Sequence, residues 1–219
     1  TVLFSEPVAD FATGDVTVSG TAPGTKTATV TGSGTNYNVA VTGMTSSGTV
    51  IASVAAGKAT GVAGKSNWAS TSADNTVIYD VVPPSVTVNQ AKGQYDPTNA
   101  APVNFTVLFS EPVSGFAAAD VTISGTAPGT KTVTVTGGGT NFNVAVTGMT
   151  GSGTVVASVA AGGAADAAGN GNAASTGADN TVIYDVTAPA VTVSQAAGQP
   201  DPTNAAPVNF TVLFSEPVS

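Results

Sequence analysis

Thirteen Asp and Glu residues and five lysines make up the charged side chains of this 219-residue sequence, which contains no histidine and no cysteine. The commonest general base, every thiol nucleophile and the usual zinc and haem ligands are therefore missing. Ser and Thr are abundant, yet no base is present to activate their hydroxyls, and on strands they serve as β-formers with a polar outer face. What remains is oxygen chemistry. Carboxylates, amides and backbone carbonyls in sets of about six to eight suit a hard cation, with Ca²⁺ the natural candidate outside the cell. Paired carboxylates flanking a cleft would suit glycoside hydrolysis, but nothing marks a cleft around Asp10 and Asp15 or Asp74 and Asp80. Glycine-containing stretches such as 148–153 and 169–171 do not open a helix, so they fail as phosphate cradles. A net charge of −8 argues against a nucleic-acid partner, which demands Lys and Arg to neutralise phosphates. No apolar run is long enough to insert in a membrane.

The elements that must position these carboxylates are organised by a long repeat. Thr1-Val2-Leu3-Phe4-Ser5-Glu6-Pro7-Val8 returns at Thr106–Val113 and again at Thr211–Val218, a period of 105 residues, and 81 of 105 positions are identical between 1–105 and 106–210 without a gap. Solenoid and propeller repeats run to about 20–50 residues, so a period this long predicts a self-sufficient domain strung in an array. The joints fall at Tyr79-Asp80-Val81-Val82-Pro83-Pro84 and Tyr184-Asp185-Val186-Thr187-Ala188-Pro189. Residues 83–187 then form a complete unit, 1–82 a unit lacking its first strands, and 188–219 the opening strands of a third.

Alternation of apolar and polar residues between Gly, Pro, Asn and Asp predicts seven strands in 83–187: 85–89, 102–110, 120–124, 131–136, 141–147, 154–160 and 180–185. Val103, Phe105, Val107 and Phe109 share one face of the second, and Phe142, Val144 and Val146 one face of the fifth; both faces are expected to look inward. Gly137-Gly138-Gly139 signals a tight turn. The Ala-rich run 157–174 carries four glycines, each costing a helix about 1 kcal/mol. Seven short alternating strands fit an immunoglobulin-like antiparallel β-sandwich. The core Trp and the Cys pair of antibody domains are absent, and Trp68 becomes Ala173 one repeat later. A β-solenoid is the alternative, disfavoured because the unit has no short internal repeat.

The motifs Asp96-Pro97-Thr98-Asn99, Phe109-Ser110-Glu111-Pro112-Val113 with Phe116, Asp120-Val121-Thr122, Asp166-Ala167-Ala168-Gly169-Asn170 and Tyr184-Asp185 before Thr187-Ala188-Pro189 resemble the tandem bacterial immunoglobulin-like repeats of very long secreted surface proteins and adhesins. The resemblance covers the whole chain. It implies a non-enzymatic, extracellular or cell-surface spacer, and related adhesin arrays have linkers stiffened by Ca²⁺.

If strands alternate up and down, Glu111, in the loop after the second strand, and Asp166, Asn170 and Asn172, in the loop after the sixth, lie at the pole facing the preceding linker and its Asp80. Asp96 lies at the other pole beside Asp185, facing Glu216 of the next unit. Acidic groups thus gather at junctions, and a junction cation would draw on Asp80, Glu111, Asp166 and Asn170, or on Asp96, Asp185 and Glu216. Asp166 and Asn170 become Gly61 and Lys65 in the first repeat, with Lys58 nearby, so a site using them is not repeated. The function expected is a structural shaft whose partners are neighbouring repeats, identical subunits, or other cells and surfaces. Because the sequence is out of phase with its unit, a filament is also expected, in which residues 188–219 supply the next unit with the strands that 1–82 lacks, either along one covalent chain or by strand donation between subunits. The rival is an adhesin segment binding a glycan or host protein through loops, for which Trp68 and Tyr95, replaced by Ala173 and Pro200, are the divergent aromatics.

Overall fold

A computed structural model describes residues 1–218. Its elements run in chain order as β1 (Val2–Val8), β2 (Val16–Ser19), β3 (Thr27–Thr42), β4 (Gly48–Val54) and β5 (Thr76–Tyr79), then β6 (Val86–Gln90), β7 (Val103–Val113), β8 (Val121–Ser124), β9 (Thr132–Thr147), β10 (Gly153–Val159) and β11 (Thr181–Tyr184), and finally β12 (Val191–Gln195) and β13 (Phe210–Phe214). Helix is confined to single 3₁₀ turns at Thr13–Asp15 and Ala118–Asp120. Sequence alternation placed Asp120 at the start of a strand. In the structure its carboxylate instead accepts a hydrogen bond from the Ala117 backbone N–H at 2.8 Å and closes the turn.

In residues 83–187, β6, β7 and β9 form one antiparallel sheet and β8, β10 and β11 another. Strand β9 is continuous over sixteen residues. Fully extended it would span roughly 50 Å, yet a Cβ placed on Gly137 would stand 2.5 Å from the Asn141 carbonyl oxygen, and one on Gly148 would stand 2.1 Å from that of Thr130. The strand therefore doubles back at Gly137–Gly139, where Gly137 and Gly139 hold φ of 115° and 66° that other residues resist. Its second arm pairs with β7, Val103 opposite Val146 and Leu108 opposite Asn141. Its first arm brings Val133 and Val135, half-buried, onto the core. The two predicted strands 131–136 and 141–147 are these arms, so the unit is an antiparallel sandwich of four plus three strands, the immunoglobulin-like architecture.

Alternation decides what fills the sandwich. Val103, Phe105, Val107 and Phe109 of β7 are 0–2% exposed and meet Val144 and Val146 of β9 and Val155, Val159 and Val182 of the second sheet. Phe109, Phe116 and Phe142 pack edge to face with centroids 5.0–5.8 Å apart, as do Phe4, Phe11 and Tyr37 in the first repeat. These recurrent aromatics are core.

Residues 1–82 keep the same sheets minus one member: β1 pairs with β3, and β2, β4 and β5 form the other sheet. No counterpart of β6 covers them. In residues 188–218, β12 and β13 form a lone hairpin in the register of β6 and β7, Val191 opposite Phe214 and Val193 opposite Val212.

Candidate junction site

Two loops and a strand end meet where residue 82 passes into residue 83. Glu111 does not sit in a loop, as alternation suggested. It lies on the last part of β7, within a register shift between Leu108 and Val113 after which the strand pairs with β9 again, Val113 opposite Gly139. The loop after β10 carries Asp166 to Asn172 and is held by a peg. Asn172 is 1% exposed; its Oδ1 accepts from the Ala164 N–H at 2.8 Å, and its Nδ2 donates to the carbonyls of Ala160 and Ala173 at 3.0 and 2.6 Å. Asn67 makes the same bonds in the first repeat. Every polar atom of Asn172 is spent on the loop, so it is no ligand.

Asp166 is 6% exposed and accepts three hydrogen bonds, from the N–H groups of Ala168 and Asn170 on Oδ1 and from Asn170 Nδ2 on Oδ2, at 2.8–2.9 Å. The Asn170 side chain, followed by these N–H groups, holds its carboxyl below the ordinary value against an opposing desolvation. Asn170 Nδ2 also donates to the Asp80 carbonyl at 3.2 Å, tying the loop of one unit to the residue that follows β5 of the unit before it. Carboxylate oxygens of Asp80, Glu111 and Asp166 lie within 4.8 Å of one another.

Asp80 also locks the linker. Its Oδ1 accepts from the Ser47 hydroxyl at 2.9 Å and the Val82 N–H at 3.0 Å, while Ser47 Oγ accepts from the Val81 N–H at 2.9 Å. The lock recurs one repeat on: Asp185 Oδ1 accepts from Ser152 at 2.8 Å and Thr187 N–H at 2.9 Å, and Ser152 Oγ from Val186 N–H at 2.9 Å. The Thr187 N–H, then the Ser152 hydroxyl, keep the Asp185 carboxyl below its usual range. Sequence reading passed over these serines. Their one signal is the recurrence of Ser-Gly-Thr-Val opposite Tyr-Asp-Val in both repeats.

The second expected set divides. Asp96 Oδ1 accepts from the Ile183 N–H at 2.9 Å, and Thr98 and Asp185 bond through their backbones at 2.8 Å, so Asp96 and Asp185 do share a pole. They do not join Glu216 in a carboxylate cluster among the described residues. Asp185 and Glu216 correspond by the repeat to Asp80 and Glu111. In the first repeat Gly61 takes the place of Asp166, and a Cβ there would stand 2.2 Å from Glu6 Oε1, so the glutamate has moved into the vacated space.

Three carboxylates are hard oxygen donors, and oxygens all within 4.8 Å of one another are close enough to share one cation. The donor set is of the type that a hard cation such as Ca²⁺ takes, and its three carboxylates supply part of the about six to eight oxygens needed. It offers no nucleophile with a base, and the cavity of about 930 Å³ between the open sheets of residues 1–82 includes none of the three acids.

An all-β sandwich of four plus three strands, with its polar groups spent on linkers and turns, defines the class: an immunoglobulin-like module. Residues 80–183 match the family described as bacterial Ig-like domain, and that repeat is a member of it. No curated protein and no solved structure matches the chain.

Proposed function

We propose that this chain is part of the shaft of a long bacterial surface protein, in which serial sandwiches set reach and carry no chemistry of their own. The observation that supports it most is the near-identity of consecutive repeats, 81 of 105 positions, with the differences densest in the single loop 58–68 against 163–173. Outside that loop, turns and strands alike are largely repeated, as a spacer requires. Bacterial Ig-like domains are often found in surface proteins and are typically non-enzymatic, which accords with a chain lacking His and Cys. Presenting residues 83–187 to glycan and extracellular-matrix arrays tests the reading: a shaft gives no saturable binding, and specific binding would favour the adhesin alternative. Trp68 and Tyr95, 90% and 80% exposed, are that alternative's support.

A second reading concerns the 82/83 junction, where Asp80, Glu111 and Asp166 converge. Here Ca²⁺ would bridge the two units and stiffen their joint, with Asn170 supplying its amide. Melting the chain with Ca²⁺ and with a chelator checks this, since a ligand at a hundred times its Kd stabilises by about 2.7 kcal/mol. An unchanged midpoint leaves the hydrogen bonds of Asp80 and Asn170 as the whole joint. Extracellular location and assembly of the shaft into filaments by shared strands complete the proposal.

A further inference from the structure

The backbone itself can do covalent chemistry at the 82/83 joint. An asparagine followed by glycine is the pair most prone to lose its side-chain amide, because glycine has no Cβ to obstruct its own nitrogen and has the widest choice of φ and ψ. Of the fourteen asparagines in the sequence, Asn170 alone precedes a glycine. The nucleophile this reaction needs is free. Residues 164–166 and 170–172 form a short ladder in which the Asp166 N–H donates to the Asn170 carbonyl at 3.2 Å and the Asn172 N–H to that of Ala164 at 2.9 Å. The Gly171 N–H falls between these bonds, points away from the ladder and makes no hydrogen bond, and Gly171 is exposed. Asn172 shows the contrast within the same loop. Its amide is fully bonded, and the N–H that follows it, that of Ala173, donates to the Pro84 carbonyl at 2.9 Å.

The fold does not require this pair. Lys65-Ser66 replaces it in the first repeat, and the same ladder forms there, with the Gly61 N–H donating to the Lys65 carbonyl and the Asn67 N–H to that of Ala59, each at 2.9 Å. Gly171 does not hold a positive φ, so its backbone is open to a side chain. What Asn170 holds is the joint. Its Nδ2 donates to Asp166 Oδ2 at 2.9 Å and to the Asp80 carbonyl at 3.2 Å, and because both partners only accept, the NH₂ is fixed on that side.

We propose that Asn170-Gly171 is a site of spontaneous deamidation and that the reaction releases the 82/83 joint in one direction. The Gly171 nitrogen attacks Asn170 Cγ and gives up its proton; the Cγ–Nδ2 bond breaks, ammonia leaves with that proton, and a five-membered succinimide remains. Water then opens the ring, giving aspartate if the new C–N bond breaks and isoaspartate if the original peptide bond does. One water enters and one ammonia leaves, with no change of oxidation state. Ammonia carries off Nδ2, so both of its hydrogen bonds must part before the reaction completes. A closed joint is therefore protected, and an open one reacts. The product cannot close again. A carboxylate has no hydrogen to give Asp166 or the Asp80 carbonyl, and it adds a negative charge where oxygens of Asp80, Glu111 and Asp166 already lie within 4.8 Å of one another. Isoaspartate also adds one carbon to the main chain inside the ladder. The proposal goes beyond the shaft and cation readings and needs neither.

The test holds the full chain in mildly alkaline buffer with a chelator and follows each asparagine by peptide mass spectrometry. Position 170 is expected to gain about 1 Da as aspartate and isoaspartate, several-fold faster than any other asparagine. Gly171→Ser, which copies Ser66 of the first repeat, is expected to slow this at least tenfold without changing the melting midpoint. The chain lacks Cys, so T17C/T122C, at exposed positions of β2 and β8, takes one spin label in each unit. Asn170→Asp is expected to broaden the distance distribution between the labels. An Asn170 amide that survives as long as that of Asn172, or a rate indifferent to Gly171→Ser, overturns the modification site. A distribution as narrow in Asn170→Asp as in the unaltered chain overturns the release.

Discussion

Asn172 has no charge and no chemistry, yet it holds the loop that carries Asp166. Its amide satisfies one N–H and two carbonyls in a place water does not reach. Asn172→Ala orphans those groups, each at roughly 1–3 kcal/mol, so a loss of several kcal/mol in chemical denaturation is expected, far more than for truncating exposed Asn141. The carboxylates make a separate prediction about acid. Asp166 and Asp185 have folded-state pKa values below the ordinary 3.8. A depressed group contributes stability that is complete above the unfolded value and is lost as pH falls through the folded one. Stability should therefore be level from neutrality down to mild acid and fall below about pH 3.8, with Asp166→Asn flattening part of that fall in a pH series of urea melts. Sequence reading brought Asp80, Glu111, Asp166 and Asn170 to one place because strand alternation fixes which pole each loop occupies. It could not foresee Ser47 and Ser152, since a hydroxyl that caps a linker looks in sequence like any strand-end serine.

At the scale of elements, the period-two pattern was enough to identify the strands and their inward faces. Phe105 and Val144 lie on the faces expected and are fully buried. Phe105→Ala should cost about 3–5 kcal/mol, which for a domain of this size lowers the melting midpoint by well over 10 °C. The same deletion at Phe210, exposed in the hairpin, should change the monomer's midpoint little. Alternation failed at Glu111 and Asp120. A bulge lets β7 run on after its ladder with β9 has shifted, and a local carboxylate bond turns Asp120 into a cap; neither leaves a mark in hydropathy. Gly137 makes a clear element-scale test, because a Cβ there would collide with the Asn141 carbonyl at a positive φ. Gly137→Ala should destabilise by more than 1 kcal/mol, whereas Gly138→Ala, with open space around it, should be mild.

For the whole molecule, the repeat carried most of what could be read. A period of 105 residues announced serial domains, and the resemblance supplied the sandwich that residues 80–183 then proved to be. What the sequence did not reveal is how the joints are made, because a joint depends on which loop end meets which strand end in space. The Asp–Ser locks at 80/47 and 185/152 hold the start of each linker to the unit before it, and at the 82/83 joint the Asn170 bond to Asp80 adds a tie to the unit after it. A shaft with such joints grows by a constant length per unit. Small-angle scattering on in-phase arrays of one, two and four copies of residues 83–187 measures this directly. The maximum dimension should rise linearly, by roughly 35–45 Å per repeat as the strand length requires; growth that falls off towards the square root of repeat number would show jointed, folding-back beads and contradict the account.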